Sequence, residues 1–428
     1  MDKFVIEGGR RLQGRVRVNG SKNDALPLLA AALLAEGRTR LRGVPHLSDI
    51  ATMLRILREL GAHVEHRADG DVTVKVTDES RVEASYENVS TMRASVCVLG
   101  PLLARRGKAK VSLPGGCVIG VRPIDLHLKG FAALGAEIRT EHGYVVAEAK
   151  KGLRGAEIYL GGPYGSTVTG TANVLMAATL AKGTTVIESA ACEPEVEDLA
   201  RLLIAMGAKI EGAGTHRLVV TGVERLQAVE HTVIPDRIEA GTFLAAGAVT
   251  RGNLLVENAR MEHLTAAVHA LRQIGVTVER ENGGIRVAGP ERFRPVDLTT
   301  LPYPGFATDL QAQFMTLLAC ADGISVVTEK IYPDRFMHVA ELNRMGAQVR
   351  KEGASAIIHG VPQLHGAPVM ASDLRASAAL VIAGLAAKGT TEIRRVYHID
   401  RGYERIEERL NACGAAVKRM VDKVLLVR

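Results

Sequence analysis

The sequence contains no tryptophan, and its aromatic residues amount to only 4%. That scarcity argues against a nucleic-acid surface, which interleaves aromatic stacking platforms with clustered lysine and arginine. The charge supplies no such surface either: 54 basic against 47 acidic residues leave +7, spread along the chain. Small anionic substrates fit that excess better. Cysteine is equally sparse, with five residues, an odd number, and no C-x-x-C pair, which points to free thiols in a reducing compartment. His63 with His66, and His263 with His269, complete no metal-ligand set. Apolar runs are short as well. The longest, 25–35 and 378–387, fall below the roughly 20 residues a membrane span needs, and the first contains Pro27. Met1-Asp2-Lys3 leads straight into a strand-like Phe4-Val5-Ile6 rather than a basic, then apolar, export signal. The expectation is a cytoplasmic protein with neither membrane nor nucleic acid as partner.

Glycine, by contrast, is abundant and periodic. The trio Leu60-Gly61-Ala62 returns in degenerate form about every seventy residues, centred on Gly61, Gly135, Gly207, Gly275, Gly346 and Gly414. Three positions after each stands an aliphatic residue (Val64, Ile138, Ile210, Val278, Val349, Val417), and the next residue is charged every time. That alternation predicts a strand with one buried face. Before each glycine lies an amphipathic helical pattern, such as Ile50, Met53, Leu54, Leu57 and Leu60, which the glycine would cap. Earlier in each repeat a second helix is predicted, alanine-rich and apolar on nearly every side: 23–36, 91–106, 171–182, 238–251, 309–322 and 373–388. Such a helix belongs at the centre of a domain. Six repeats in 428 residues exceed what one core serves, so two sets of three are expected, with the crossing near Pro235. The strand-like first twenty residues are expected to pair with the second set.

Unusual polar residues gather at two recurrent places in the repeat. The starts of the buried helices carry Lys22, Asn23, Arg93, Asp309, and Asp373 with Arg375; the loops leading into the amphipathic helices carry Cys117, Arg122, Arg335 and Arg401. If the repeats are related by approximate symmetry, these ends converge. Helix N-termini and arginines together favour anions, although an aspartate at such a place also serves as a helix cap. The Cys117 loop, Leu113-Pro114-Gly115-Gly116-Cys117-Val118-Ile119-Gly120-Val121-Arg122-Pro123, crowds a thiol, a pliable backbone and a fixed cation together. Positive charge favours the thiolate, as a reactive cysteine requires. Cys97, Cys320 and Cys413 fall on apolar helical stretches and read as small buried hydrophobes.

Several ordered blocks carry a resemblance. They are Asn19-Gly20-Ser21-Lys22-Asn23, Thr91-Met92-Arg93-Ala94-Ser95, the Cys117 loop through Arg122-Pro123-Ile124-Asp125-Leu126, Asp334-Arg335-Phe336-Met337-His338, Asp373-Leu374-Arg375-Ala376-Ser377-Ala378, and the run from Tyr397 to Ile406. On them the chain closely resembles, nearly end to end, the UDP-N-acetylglucosamine enolpyruvyltransferases (1-carboxyvinyltransferases). The resemblance implies an α/β fold of two inverted α/β domains, each of three repeated units with buried helices, joined by a double-crossing hinge. Residues 22–232 would form the N-terminal domain carrying the Cys117 loop, and residues 1–21 with 233–428 the C-terminal one, with the active site in the cleft between them.

The resemblance further implies transfer of the enolpyruvyl group of phosphoenolpyruvate to the 3-hydroxyl of UDP-N-acetylglucosamine, releasing phosphate, with no metal or organic cofactor. Cys117 would deliver a proton to the methylene carbon and form a covalent adduct, and the epoxide fosfomycin would alkylate it. Lys22, Arg122 and Arg401 would hold phosphoenolpyruvate, with Asn23 beside them, and Asp309 would be the base at the sugar hydroxyl. Arg93, the run Arg122, Pro123, Ile124, Asp125 and Leu126, and Ile331 would contribute to the UDP-sugar site; Arg335, Asp373 and Arg375 belong to the same candidate substrate-binding set. Two places depart from the family pattern. Where a Ser-Val-Gly-Ala-Thr-like stretch commonly contacts the nucleotide, this chain has the longer 162–173, and no uridine contact is transferred there. Ala307 stands where proline is usual. The shikimate-pathway enolpyruvyltransferases share the implied fold and donor but lack the Cys117 loop. A non-catalytic UDP-sugar-binding paralogue is the other alternative, against which stand the thiol, the base and the cations together.

Overall fold

The computed structural model describes residues 2–113 and 124–421; Cys117, Arg122 and Pro123 lie outside the described residues. Two compact units result, one of residues 20–113 and 124–234, the other of 2–19 and 235–421. The first unit begins at Gly20 and ends at Ile234 because its ends are tied together. Ser21 N–H donates to Ile234 C=O at 2.7 Å, Val233 N–H to Arg42 C=O at 3.0 Å, and Ile234 N–H to the buried Asp24 carboxylate at 3.1 Å.

Among the described residues each unit holds three four-stranded sheets of one pattern, a parallel pair followed by two antiparallel partners. In the second repeat, for example, Glu83–Ala84 runs parallel to Lys108–Ser112, and Tyr144–Glu148 and Glu137–Glu141 complete the sheet antiparallel. The first repeat borrows its parallel strand, Glu230–Thr232, from the far end of the unit. In the other unit the N-terminal segment supplies two strands. Gln13–Arg17 pairs in parallel with Asn253–Glu257, and Asp2–Glu7 takes the third place in the last sheet, between Thr390–Arg394 and Val417–Val421.

The two helix types are distinct. Ser48–Glu59 buries Ile50, Met53, Leu54 and Leu57 and exposes the opposite face. Arg237–Val249 is buried at every position from Ile238 on, and Leu374–Ala386 from Arg375 to Leu385. Each unit has its own hydrophobic core around such helices. A leucine or phenylalanine fully buried there contributes about 1.5–3 kcal/mol relative to exposure. The six predicted capping glycines all adopt left-handed backbone, with φ from 82° at Gly61 to 107° at Gly207, a conformation costly for any residue with a Cβ. Gly252 has another reason to be glycine. Arg251 takes the left-handed turn there (φ 51°), and a Cβ on Gly252 would stand 2.1 Å from Leu12 C=O, where the N-terminal segment passes.

Two predicted buried helices are broken. The 91–106 stretch is a tight 3-10 turn, Arg93–Val98, followed by the α-helix Leu99–Arg106. Asn173 causes the break, accepting from Gly100 N–H at 2.7 Å and donating to Val96 C=O at 2.8 Å, so these backbone groups are removed from the helical ladder; Pro101 adds a missing donor. The 23–36 stretch is α-helical over Lys22–Ala31 and 3-10 over Ala32–Leu34, and Ala35–Glu36 pairs as a strand with Leu226–Gln227. Sheet pairing overrides helix propensity there.

Candidate active site

In the unit of residues 2–19 and 235–421, the structure brings three of the singled-out side chains into direct contact. Arg335 Nη1 donates to Asp309 Oδ1 at 2.8 Å, and Arg375 Nη2 and Nε donate to Asp309 Oδ2 at 3.1 and 3.3 Å. The repeat explains the meeting. Asp309 lies in the 3-10 turn Thr308–Leu310 that opens the fifth buried helix, Arg375 in the first turn of the sixth, and Arg335 in the loop before the amphipathic His338–Arg344 helix. Arg375 and Arg335 are buried, and the Asp309 side chain keeps 26% of its exposure. Burial opposes the charge of both arginines. Tyr403 and Asp309 outweigh it at Arg375, and Asp309 and Asp373 at Arg335, so both guanidiniums end above their ordinary pKa. Each carboxylate oxygen thus meets one guanidinium.

Asp309 and Asp373, alike in sequence, do different work. Asp373 is a helix cap: its Oδ1 accepts from Arg375 N–H at 2.9 Å and Ala376 N–H at 3.2 Å. The Asp309 carboxylate instead meets the two guanidiniums. Arg335 and Arg375, expected at substrate, hold Asp309 in this structure. Arg401 ends the 3-10 turn Val396–Arg401. Burial first, and then the Arg401 charge, push the His398 imidazole below its usual pKa against the pull of Asp373. Ile331 lies on the turn after the strand Ile324–Thr328.

Sequence reasoning missed the polar network behind the clamp. Arg375 Nη1 donates to Tyr403 Oη at 3.0 Å, Tyr403 Oη lies 2.8 Å from Thr242 Oγ1, and Gln313 Nε2 donates to Thr242 Oγ1 at 3.2 Å and to Asp309 C=O at 2.9 Å. Thr242, Gln313 and Arg375 come from the three buried helices of the unit, and Tyr403 joins them. The signal was available: a tyrosine, a glutamine and a threonine on otherwise apolar stretches need buried partners.

Ala307 precedes the Asp309 turn with φ −69°, the value proline fixes, and Phe306 before it is held extended by a bridge to Thr300, as a residue preceding proline must be. Ala307→Pro is therefore expected to stabilise the fold by about 0.4–1 kcal/mol. A denaturation midpoint that stays put or falls would contradict this.

In the unit of residues 20–113 and 124–234, Lys22 opens the first buried helix, and its Nζ pairs with Asp49 Oδ2 at 3.2 Å, both side chains being nearly buried. Asp49 went unnoticed in the sequence, yet it occupies the first turn of the first amphipathic helix, the counterpart of the loops that carry Cys117, Arg335 and Arg401. Asn23 follows Lys22 in the same turn, and Arg93 opens the turn that packs against this helix. Ile124 is buried, and Asp125 and Leu126 begin the helix Asp125–Ala133. That helix start is anchored by His127, whose Nδ1 accepts from Asn173 Nδ2 at 3.1 Å and whose Nε2 lies 3.2 Å from Thr169 Oγ1. Burial pushes this imidazole down to about 3, and the Arg93 charge adds to the effect. The divergent 162–173 stretch forms a short hairpin, Gly161–Gly162 against Gly165–Ser166, with exposed Tyr164 at its tip, and Thr167 then caps the helix Val168–Ala178. Among the described residues no group of three or more His, Cys, Asp or Glu could hold a metal ion.

Six repeated sheets around buried helices define a class of fold that known proteins share. A family model described as EPSP synthase (3-phosphoshikimate 1-carboxyvinyltransferase) covers residues 6–410, and the chain belongs to that family. Within it, a UDP-N-acetylglucosamine 1-carboxyvinyltransferase of Anaeromyxobacter sp. (strain Fw109-5) is 56% identical over 422 residues, covering 98% of this chain and 99% of that protein. Another, of Methylacidiphilum infernorum (isolate V4), is 54% identical over 424 residues, covering 99% and 100%. Among solved structures, the enolpyruvyl transferase NikO from Streptomyces tendae superposes with a TM-score of 0.88 at 27% identity, covering 98% of this chain and 99% of that one. EPSP synthase from Acinetobacter baumannii gives 0.74 at 20% identity, covering 98% and 100%, a likeness of fold.

Proposed function

We propose that this chain transfers the enolpyruvyl group of phosphoenolpyruvate to the 3-hydroxyl of UDP-N-acetylglucosamine, releasing phosphate, in the first committed step of peptidoglycan synthesis. The observation that carries the reading is the full-length identity of more than half to proteins named for that reaction. The Asp309 clamp supplies chemistry suited to it. In the proposed mechanism Asp309 takes the proton of the sugar 3-hydroxyl as the oxygen bonds to C2 of phosphoenolpyruvate, while Cys117 gives a proton to the methylene carbon. A tetrahedral intermediate results. Loss of a proton from the new methyl group then expels phosphate and restores the double bond. Arg335 and Arg375 keep Asp309 oriented and partly offset its charge.

Lys22, Asn23, Arg122 and Arg401 would hold the phosphate and carboxylate of phosphoenolpyruvate, and Arg93, residues 122–126 and Ile331 the UDP-sugar. Polyanionic substrates require such cations, and a carboxylate or phosphate is matched best by an arginine fork. Fosfomycin would alkylate Cys117. The enzyme would work in the cytoplasm, and no helix among the described residues is long and apolar enough to cross a membrane. Proton NMR of the product provides the test. A vinyl group on the sugar O3 is expected; a sugar recovered with its 3-hydroxyl free would overturn the reading.

A further inference from the structure

Glu329 follows the strand Ile324–Thr328 and is 0% exposed. Among the described residues no cation lies within ion-pair distance of it, which is unusual for a carboxyl group so deeply buried. Four hydrogen-bond donors meet it instead. Its Oε1 accepts from Thr300 Oγ1 at 2.6 Å, Ile331 N–H at 2.8 Å and Tyr332 N–H at 3.0 Å, and its Oε2 accepts from Thr308 Oγ1 at 2.9 Å. The Thr308 hydroxyl in turn accepts from Arg335 Nη1 at 2.9 Å, the same nitrogen that donates to Asp309 Oδ1. A guanidinium only donates and a carboxylate only accepts, so the hydroxyl between them can point one way only.

We infer that Glu329 is a positioning residue for the transfer reaction. Through Thr308 it aims Arg335 at Asp309, and through its other oxygen it fixes the turn that carries Ile331. One buried carboxylate thereby links the base to a turn assigned to the sugar nucleotide, and both are set by the same parallel strand pair, Leu298–Thr299 with Ile324–Thr328. The inference rests on the function proposed above, and the two separate cleanly in experiment. If the unaltered protein releases no phosphate from phosphoenolpyruvate with UDP-N-acetylglucosamine, the functional reading fails and this inference with it.

With an active protein, Thr308→Val keeps the side-chain shape and removes the hydroxyl, and Thr308→Ser restores it. Thr308→Val should lower kcat by roughly tenfold to a hundredfold, as loss of a hydrogen bond to an ionised group does, with KM for the sugar nucleotide within about twofold. Thr308→Ser should recover kcat to within about threefold of the unaltered protein. Glu329→Gln, which also disturbs the Ile331 turn, should in addition raise KM for the sugar nucleotide by about tenfold. Thr308→Val with kcat within about threefold of the original, or Thr308→Ser as slow as Thr308→Val, would overturn the inference. So would a Glu329→Gln protein that leaves both constants unchanged, whatever the folding of the valine variant.

Discussion

Asp309→Asn is expected to lower kcat by about a hundredfold to ten-thousandfold, the range associated with loss of a general base, while the protein stays folded. Asparagine preserves the shape and can still accept from one arginine, but its amide cannot take a proton and turns N–H groups toward a guanidinium. The other arginine then loses its carboxylate partner and keeps only a hydroxyl, Tyr403 for Arg375 or Thr308 for Arg335. Removing one member of a fully buried ion pair costs about 3–5 kcal/mol; the cost here is smaller because the Asp309 side chain is 26% exposed. A steady-state assay at saturating substrates, with a thermal melt alongside, checks both expectations. Turnover within tenfold of the original in a folded Asp309→Asn protein would remove Asp309 from the chemistry.

Alkylation by fosfomycin should stop altogether in Cys117→Ala. The described thiols explain why no other site substitutes. Burial pushes Cys97 up to about 12 and Cys320 up to about 11, and it raises Cys192 and Cys413 as well. The thiolate is the nucleophile, so near neutral pH these four are protonated, and Cys97 and Cys413 are buried besides. Intact-protein mass spectrometry should show one adduct on the unaltered chain and none on the variant. An adduct that persists, mapped to Cys192 or Cys320, would reassign the reactive thiol.

The repeat was legible because its glycines are obligatory. Left-handed backbone at Gly61, Gly135, Gly207, Gly275, Gly346 and Gly414 leaves a mark at fixed spacing, and the buried helices are apolar on all sides because of where they sit. The third place of Asp2–Glu7 in its sheet was not legible in detail, since a strand 389 residues from its partner hydrogen bond, Lys3 to Glu392, carries no local signal of register. Asp309 and Asp373 looked interchangeable, each at the start of a buried helix. Only geometry separates the one facing two guanidiniums from the one bonded to its own helix's N–H groups. Asp49 and Glu329 escaped because an isolated acidic residue near a strand end or in a helix's first turn reads as solvated surface, and their significance lies in contacts with Lys22 and Thr308.

The central claim is the identity of the acceptor, and phosphate release tests it most directly. With phosphoenolpyruvate present, inorganic phosphate should appear only when UDP-N-acetylglucosamine is added, in amounts equal to the sugar consumed. Release supported by shikimate 3-phosphate, with none from UDP-N-acetylglucosamine, would contradict the account.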